Sequence, residues 1–216
     1  MKEHNIVHCD MKPENILLRK INKSGIKIID FGSGCFENEK IYTYIQSRFY
    51  RAPEIVLGIS YTTAIDMWSY GCILYELFVG YPLFPGEDEK EHMAMIMEVK
   101  GIPPRSVLAR ATRRKVFFDD DYQPLLVPNT RGKIRNPNTK SLATLMNCPD
   151  RDFIDFVDVR DHMCPIFLYY IEMHRMEGRE QTDPRASFLS SLYSKGSPGI
   201  EGHKRWLKRH LKARWY

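Results

Sequence analysis

The chain has 216 residues, of which 43% are hydrophobic and 27% are charged, and its formal net charge is +5. This length suits one compact domain, or a domain with a tail, and the near-average composition excludes collagen-like, low-complexity and wholly disordered chains. No apolar run approaches the roughly 18–20 residues that cross a bilayer, and residues 1–10 do not form the apolar stretch of a signal peptide. We therefore expect a soluble, intracellular protein of the cytoplasm or nucleus, with no membrane association.

Three short runs rich in leucine and β-branched residues occur early in the chain, and each is bounded by Pro, Asn, Gly or Asp. Runs of this kind predict brief strands. They lie at residues 6–7, 16–18 and 26–29.

The strongest helix signal covers residues 63–79, with Thr62 or Thr63 as the N-cap and Gly80 at the C-terminal stop. Apolar residues lie on nearly every face of this segment, as expected of a helix buried within a domain. Residues 103–142 are rich in Pro, Asn and Arg and predict a long irregular insert. Two further helices are predicted, at residues 88–100 and 150–159.

The five cysteines are odd in number and widely spaced, and no two form a CxxC pair. This pattern indicates neither a disulfide framework nor a zinc site, so each cysteine is most simply a small, mostly buried thiol. Residues 203–216 carry six Lys or Arg and no acid, and removing these six charges from +5 leaves residues 1–202 at −1. A solvated basic tail is the commoner meaning of such a segment, and we expect no specific nucleic-acid partner.

The segment HCDMKPEN at residues 8–15, followed by DFG at residues 30–32 and APE at residues 52–54, carries the most chemical information. Phosphoryl transfer from a nucleotide requires a carboxylate facing the attacking hydroxyl, a cation near the moving phosphoryl group, and hard oxygen ligands for Mg²⁺. We call residues 8–15 the catalytic loop. The predicted strand–turn–strand between this loop and the DFG motif brings the motif back beside the loop. Asp10 is the candidate carboxylate, Lys12 is the candidate cation, and Asn15 and Asp30 are the candidate ligands of Mg²⁺.

Each of these residues also has an ordinary structural explanation. A lone Asp is usually a turn former, and a lone Asn before a strand usually bonds its own backbone. DFG or APE alone would be weak evidence, but with Asp10, Lys12 and Asn15 they specify nine positions in order. At about 5% per residue type, agreement at nine positions by chance is negligible.

The chain resembles the C-terminal lobe of a eukaryotic protein kinase, in particular the dual-specificity tyrosine-regulated kinases, the DYRK family of the CMGC group. The resemblance rests on Cys9 in place of the usual catalytic-loop arginine, on DFGSGC, and on the basic RGKIR at residues 131–135. Two longer segments also match the family, IYTYIQSRFYRAPEIVLG and IDMWSYGCILYELFVGYPLFPGEDE. The resemblance implies an α+β, mainly α-helical C-lobe over residues 1–157, with a short β-hairpin region near the N-terminus.

The resemblance also implies roles for individual residues. Asp10 is the expected proton acceptor, Lys12 the contact to the nucleotide phosphate, and Asn15 and Asp30 the ligands of Mg²⁺. ATP and Mg²⁺ are therefore the expected cofactors, and protein substrates the expected partners.

Tyr44 corresponds to the tyrosine that these kinases autophosphorylate, although a tyrosine packed on the loop's own surface is the alternative. A phosphotyrosine brings about two negative charges and three acceptor oxygens, which arginines suit best. Because Cys9 replaces the usual arginine, Arg48 and Arg51 are expected to supply the phosphate clamp.

Two further residues have expected structural roles. Asp66 anchors the catalytic-loop backbone, and Glu54 of APE pairs with a late arginine. The candidate segment for that arginine begins Asp-Pro-Arg at residue 183, but Ser187 stands where the family has the arginine.

The chain departs from the family pattern in two places. It contains no GxGxxG motif, and only seven residues precede His8, so the N-lobe with its ATP-binding lysine is expected to be missing from this chain and present in the full-length gene product. From about residue 158 the resemblance stops, which predicts a divergent region over residues 158–216 through a frame error, an unspliced intron or genuine divergence.

We therefore expect an ATP-dependent Ser/Thr kinase with tyrosine autophosphorylation, whose truncated catalytic domain has little or no activity alone. The alternative is a catalytically inactive kinase-lobe fragment that acts as a protein-interaction module. It is favoured by the missing glycine-rich lid, whereas the intact set of candidate catalytic residues favours the enzyme.

Overall fold

The computed structural model describes residues 1–20, 25–40 and 43–158. Within these ranges the chain forms four short strands and seven α-helices, so the expected mainly helical character holds for the described residues. None of the helices described there is both long enough and apolar enough to cross a bilayer.

The strands form two separate antiparallel pairs near the start of the chain. Strand β1 (Ile6–Val7) pairs with β4 (Cys35–Phe36), and β2 (Ile16–Leu18) pairs with β3 (Ile26–Ile28). The three predicted strands are confirmed, with the third ending one residue early. Strand β4 was not predicted because two residues are too short for a periodic signal.

Helix α1 (Pro53–Leu57) is followed by the long helix α2 (Ala64–Val79). Helix α2 begins after Thr63, and the backbone N–H of Ala64 donates to Oγ1 of Thr62 at 3.2 Å. It ends at Gly80, whose φ of 98° is costly for any residue with a side chain. The predicted helix and its stop are confirmed.

Helix α3 (Glu89–Lys100) starts where the side chain of Asp88 accepts a hydrogen bond from the N–H of Glu91 at 2.8 Å. Residues 103–142 were predicted to be a long irregular insert. They contain helices α4 (Arg105–Leu108) and α5 (Arg114–Phe117), so the segment is only partly irregular. These one-turn helices form because Val107, Leu108 and Phe117 are buried against the rest of the molecule, a tertiary effect that local composition does not encode.

Helices α6 (Leu142–Met146) and α7 (Arg151–Val157) complete the described chain. The helix predicted at residues 150–159 is thus confirmed to Val157, with Asp150 as its N-cap. The predicted divergent region begins at residue 158, and its residues from 159 onward, including the basic tail, lie outside the described residues.

Helix α2 belongs to two hydrophobic clusters. Its first half packs in a large core with Val7 of β1 and with Cys9 and Met11 of the catalytic loop. Its second half, including Leu74 and Tyr75, packs with α6 and α7. The buried helix therefore holds the loop that carries the candidate catalytic residues against the rest of the fold.

Candidate active site

The catalytic loop is anchored to the first turn of α2. The backbone N–H groups of His8 and Cys9 donate to the two carboxylate oxygens of Asp66 at 2.7 and 3.1 Å. Burial raises the pKa of Asp66, while these two hydrogen bonds act in the opposite direction. Cys9 has a φ of 65°, so the loop turns sharply here and directs Asp10 away from the core.

Asp10, Lys12 and Ser47 form what we call the catalytic cluster. Nζ of Lys12 donates to Oδ2 of Asp10 at 2.7 Å, and Oγ and N of Ser47 donate to Oδ1 at 2.7 and 3.1 Å. Burial alone would raise the pKa of Asp10, but the hydrogen bonds from Lys12 and Ser47 lower it below its ordinary value. Asp10 is therefore an ionised carboxylate at neutral pH.

The pairing of β2 with β3 brings Asn15 next to Ile29, the residue that precedes Asp30. The side-chain amide of Asn15 donates to the carbonyl of Asp10 at 2.9 Å, and the N–H of Ile29 donates to the carbonyl of Asn15 at 3.0 Å. His8 fixes the same strand end, since its Nε2 lies 2.9 Å from the Ile29 carbonyl. Asn15 is buried, whereas Asp30 is exposed and has a φ of 62°.

The donor chemistry of this pair fits Mg²⁺. The amide nitrogen of Asn15 is used by the backbone of Asp10, so its amide oxygen is the atom available to a cation. Asp30 supplies a carboxylate, and both are the hard oxygen donors that Mg²⁺ prefers. Because Mg²⁺ usually keeps waters and substrate phosphates in its shell, two protein ligands are sufficient.

Gln46 and Ser47 were not predicted as site residues. Both lie in the activation segment, the stretch IYTYIQSRFYRAPEIVLG at residues 41–58. Gln46 is buried with a φ of 68°, and its side chain donates to the carbonyl of Ile65 and to Oγ of Ser69, both at 2.9 Å. Its own N–H donates to the carbonyl of Cys9 at 2.9 Å. Gln46 therefore holds Ser47 next to the catalytic loop. Neither residue belongs to a motif with a chemical signature of its own.

Tyr44 and the two predicted clamp arginines lie in different surroundings. Nη1 of Arg51 donates to the phenolic oxygen of Tyr44 at 3.1 Å, and the guanidinium carbon lies 4.2 Å from the ring centre. The guanidinium of Arg48 instead donates to the backbone carbonyls of Gly86 and Glu87. Of the two arginines, Arg51 thus contacts Tyr44 and Arg48 contacts the loop before α3.

Arg51, Glu89 and Arg113 form a second charged group, which we call the arginine cluster. Glu89 accepts hydrogen bonds from Nη1 of Arg51 at 3.1 Å and from Nη2 of Arg113 at 2.6 Å. The hydrogen bond from Arg113 is the largest cause that lowers the pKa of Glu89. The sequence analysis missed Glu89 and Arg113, because they are 24 residues apart and meet only through folding.

Glu54 lies in α1 and is only 1% exposed. The segment proposed to supply its arginine, which begins at residue 183, lies outside the described residues.

An acidic patch lies on the α2 side of the activation segment. The phenolic hydroxyl of Tyr50 donates to Oε2 of Glu76 at 2.7 Å. Burial raises the pKa of Tyr50, and the charges of Glu76 and of the exposed Glu14 add to the effect. Glu14 belongs to the catalytic loop, so the patch is close to the catalytic cluster. Neither glutamate was predicted as a site residue, although Glu14 lies within the HCDMKPEN segment.

The fold and the site together define a class of protein. The family model described as "Protein kinase domain" matches residues 1–152, and the chain belongs to this family. Its sequence relatives narrow the family assignment to a DYRK-like kinase domain of the CMGC group.

Among curated proteins, the chain is 59% identical over 155 residues to the dual specificity tyrosine-phosphorylation-regulated kinase 2 of Drosophila melanogaster, covering 72% of the chain and 22% of that protein. It is 56% identical over 158 residues to the probable serine/threonine-protein kinase dyrk2 of Dictyostelium discoideum, covering 73% and 17%. It is 54% identical over 152 residues to the dual specificity tyrosine-phosphorylation-regulated kinase 4 of Homo sapiens, covering 70% and 29%. The chain thus spans less than a third of the length of each of these relatives.

Proposed function

We propose that this chain carries the phosphoryl-transfer site of a dual-specificity protein kinase, which transfers the γ-phosphoryl group of ATP to Ser and Thr hydroxyls of proteins and to its own Tyr44. The observation that carries the proposal is the catalytic cluster, an ionised carboxylate with a lysine on one oxygen and a serine on the other. We further propose that residues 1–157 are most of a kinase C-lobe. An intracellular location, in cytoplasm or nucleus, stays a prediction.

Asp10 orients the attacking hydroxyl and receives its proton. The oxygen–phosphorus bond to the substrate forms as the bond between the γ-phosphorus and its bridging oxygen breaks, and ADP leaves. Because its pKa is lowered, Asp10 is a weak base. A weak base suits a loose transition state, in which the hydroxyl gives up its proton late.

Lys12 is the cation of the cluster. It is the partner that holds one Asp10 oxygen, and its side chain is 26% exposed, so its ammonium group can also reach a phosphate at the open face. Hydrogen bonding to Asp10 raises the pKa of Lys12, which keeps it charged at neutral pH. Such a fixed positive charge stabilises the charge that develops on the moving phosphoryl group.

Asn15 and Asp30 would hold Mg²⁺, which supplies charge neutralisation of the ATP phosphates when it is bound. The β2–β3 pair positions both residues, because Asn15 directly precedes β2 and Asp30 follows the end of β3 by two residues.

The acidic patch suggests the substrate class. Glu76 and Glu14 place negative charge next to Tyr50, close to the catalytic cluster. A substrate with arginine near its Ser or Thr matches this charge. We propose that the enzyme selects basic protein substrates through this patch.

The 216-residue polypeptide by itself is expected to transfer phosphate poorly. Its sequence contains no GxGxxG motif to cover the phosphates of ATP. This feature favours the second candidate function, a kinase-lobe module that binds partners without turnover. The two candidates differ in whether the site becomes active when a glycine-rich loop and an ATP-binding lysine are supplied.

The test joins the kinase-domain residues that precede the matching segment in the Drosophila relative to Met1 of this chain. We expect the folded chimera to phosphorylate an arginine-containing peptide in the presence of ATP and Mg²⁺, at a rate at least a hundredfold above that of the chain alone. A folded chimera without activity would contradict the enzyme. Strong phosphorylation of Tyr44 by the chain alone would contradict its expected inactivity.

A further inference from the structure

An open groove of about 630 Å³, which we call the Lys40 groove, lies beside the activation segment. Three parts of the chain line it. They are Lys40 and Tyr44 near the start of the activation segment, residues 58–61 after α1, and Thr112 with Arg113 before α5. No residue of the catalytic cluster lines the groove, so it is a separate feature of the surface.

The groove has apolar surface that is open to a partner. Ile59 is half-buried, and Tyr44 is 63% exposed. Ile55 and Tyr61 also line the groove, and both belong to the large core, against which Ile59 packs. An apolar side chain of a partner would therefore leave water when it contacts this surface, which favours binding.

The charge of the groove is positive, because its described lining includes two cations and no acid. Nζ of Lys40 donates to Oγ of Ser60 at 3.3 Å and lies 4.9 Å from the ring centre of Tyr61. Within the described ranges Lys40 forms no ion pair with a carboxylate, so its charge is available to a partner. Arg113, which is 34% exposed, belongs to the arginine cluster, where one carboxylate faces two guanidinium groups.

Hydrogen bonds between α1 and the turn before α5 hold the groove in shape. Oγ1 of Thr112 donates to the carbonyl of Gly58 at 2.8 Å, and the N–H of Arg113 donates to the carbonyl of Leu57 at 3.1 Å. Nη1 of Arg113 donates to the carbonyl of Val56 at 3.0 Å. Gly58 has a φ of 68°, and a Cβ atom there would lie 2.3 Å from Oγ1 of Thr112, so this close approach requires glycine. A partner would thus meet a preformed site, which lowers the cost of binding.

The groove is close to the catalytic cluster. Tyr44 lines the groove, and Ser47, which donates to Asp10, follows it by three residues. Three residues of chain span at most about 11 Å. A protein whose Ser or Thr lies at Asp10 can therefore place a neighbouring segment in the groove.

We propose that the Lys40 groove is a docking site for protein substrates, and that it binds an acidic segment with at least one large apolar side chain. The proposal rests on the proposed function in one respect, that the bound protein is a substrate. Carboxylates of the segment pair with Lys40 and Arg113, and its apolar side chain contacts Ile59 and the ring of Tyr44. A substrate then has basic residues near its Ser or Thr, for the acidic patch, and a separate acidic segment for the groove.

The first test measures binding without ATP, so the result does not depend on kinase activity. The probe is the fluorescein-labelled peptide Gly-Glu-Asp-Glu-Phe-Glu-Leu-Asp-Glu-Gly, and its fluorescence anisotropy is followed as the 216-residue chain is added. One matched peptide has Gln and Asn in place of Glu and Asp, and another has Ser in place of Phe and Leu. We expect each matched peptide to bind at least fivefold more weakly than the probe.

Variants of the chain locate the binding. Lys40→Glu should weaken binding of the probe at least tenfold, whereas Lys133→Glu, the same charge change at an exposed position outside the groove, should stay within twofold of the parent. Ile59→Ser should weaken binding at least threefold, and its control Ile102→Ser less than twofold. Circular dichroism checks that each variant is folded. If Ile59→Ser does not fold, the two lysine variants decide, because both side chains are exposed.

The second test asks whether the bound segment belongs to a substrate. In the active chimera, the probe sequence joined to the arginine-containing peptide through eight Gly and Ser residues, which span about 16 Å, should lower KM at least fivefold with kcat within twofold. Lys40→Glu should remove this gain. An inactive chimera would contradict the proposed function, whereas the binding test would still decide whether the groove takes an acidic segment.

The proposal is overturned if the probe binds no better than its Gln and Asn counterpart, or if Lys40→Glu binds it as well as Lys133→Glu does. An unchanged KM for the joined peptide would overturn the role in substrate docking. Sedimentation of the chain checks the remaining occupant. If the chain forms an oligomer that Lys40→Glu dissociates and Lys133→Glu does not, a second copy occupies the groove, and the proposal is wrong.

Discussion

The catalytic cluster and the arginine cluster both hold one carboxylate with hydrogen bonds, but their charges are balanced differently. In the catalytic cluster one lysine and one neutral serine hold Asp10. In the arginine cluster two guanidinium groups hold Glu89. The first is electrically neutral, and the second has one excess positive charge.

This difference indicates which group each cluster presents to a ligand. A neutral cluster leaves the carboxylate itself as the functional group, which suits the orientation of a substrate hydroxyl. A cluster with excess positive charge stabilises a further anion, or a more highly charged one in place of the carboxylate.

Replacement of Asp10 by Asn should have the largest effect. In the active chimera it removes the proton acceptor and lowers the rate of peptide phosphorylation by about 10²- to 10⁴-fold. Asp155→Asn, on the exposed face of α7, is the matched control and should change the rate less than twofold. A folded Asp10→Asn protein with more than a tenth of the parent's rate would remove Asp10 from the mechanism.

Replacement of Asp66 by Ala should have the largest effect on stability. The amides of His8 and Cys9 lose their acceptors, and leaving such buried groups unpaired costs about 2–4 kcal/mol in the free energy of unfolding. Urea unfolding of the chain measures this loss. Asp66→Asn retains one acceptor oxygen and should lose less. A loss below about 1 kcal/mol would mean that the catalytic loop is held mainly by packing.

Glu89→Gln should destabilise the unphosphorylated chain by about 1 kcal/mol at pH 7, because two arginines lose their counter-charge at a partly exposed site. The folded-state pKa of Glu89 is lowered, so its stabilising effect is present above the unfolded pKa of 4.5 and lost as the pH falls through the folded pKa.

The difference between Glu89→Gln and the parent, followed by urea unfolding, should therefore shrink as the pH falls below about 4.5. The variant Glu39→Gln, at an exposed position, serves as the control and should unfold like the parent at every pH. A difference that stays unchanged down to the lowest pH at which the chain is folded would show that the glutamate acts through packing rather than charge.

Ser47→Ala should have the smallest effect. It removes one hydrogen bond to Asp10 and leaves the backbone N–H of residue 47 in place, so the rate of the active chimera should fall about three- to tenfold. The hydrogen bond from Ser47 lowers the pKa of Asp10, so its loss raises that pKa. The acid limb of the pH–rate profile should therefore move to higher pH. Ser60→Ala is the control, and an unshifted acid limb would show that Ser47 does not tune Asp10.

Much of the fold was predictable where a local signal exists. Helix α2 was predicted because its N-terminal threonines, its continuous apolar residues and Gly80 act within the segment itself. Strand β4 and helices α4 and α5 were missed because each is at most four residues long and depends on contacts with distant parts of the chain.

The residues of the candidate site likewise divide into those with a local sequence signal and those without one. Asp10 and Lys12 are two residues apart in a recognisable motif, so the sequence alone placed them together. Ser47 and Arg113 have no chemical signature of their own, although Ser47 lies within the family-like segment IYTYIQSRFYRAPEIVLG, and their partners lie 37 and 24 residues away. Nothing in local composition distinguishes these residues from other serines and arginines of the chain.

The sequence by itself determined the protein class and the identity of the acid–base, phosphate-contacting and metal-binding candidates, because these chemical roles require particular residue types in a fixed local order. Only the tertiary structure decided which residues surround them. The second partner of Asp10 and the arginine cluster around Glu89 both arise where separate segments meet, whereas the anchoring of the loop by Asp66 was already expected from the sequence. Charge pairing acts through space, and it therefore becomes visible only when the packing of α1, α2 and α3 brings those segments into contact.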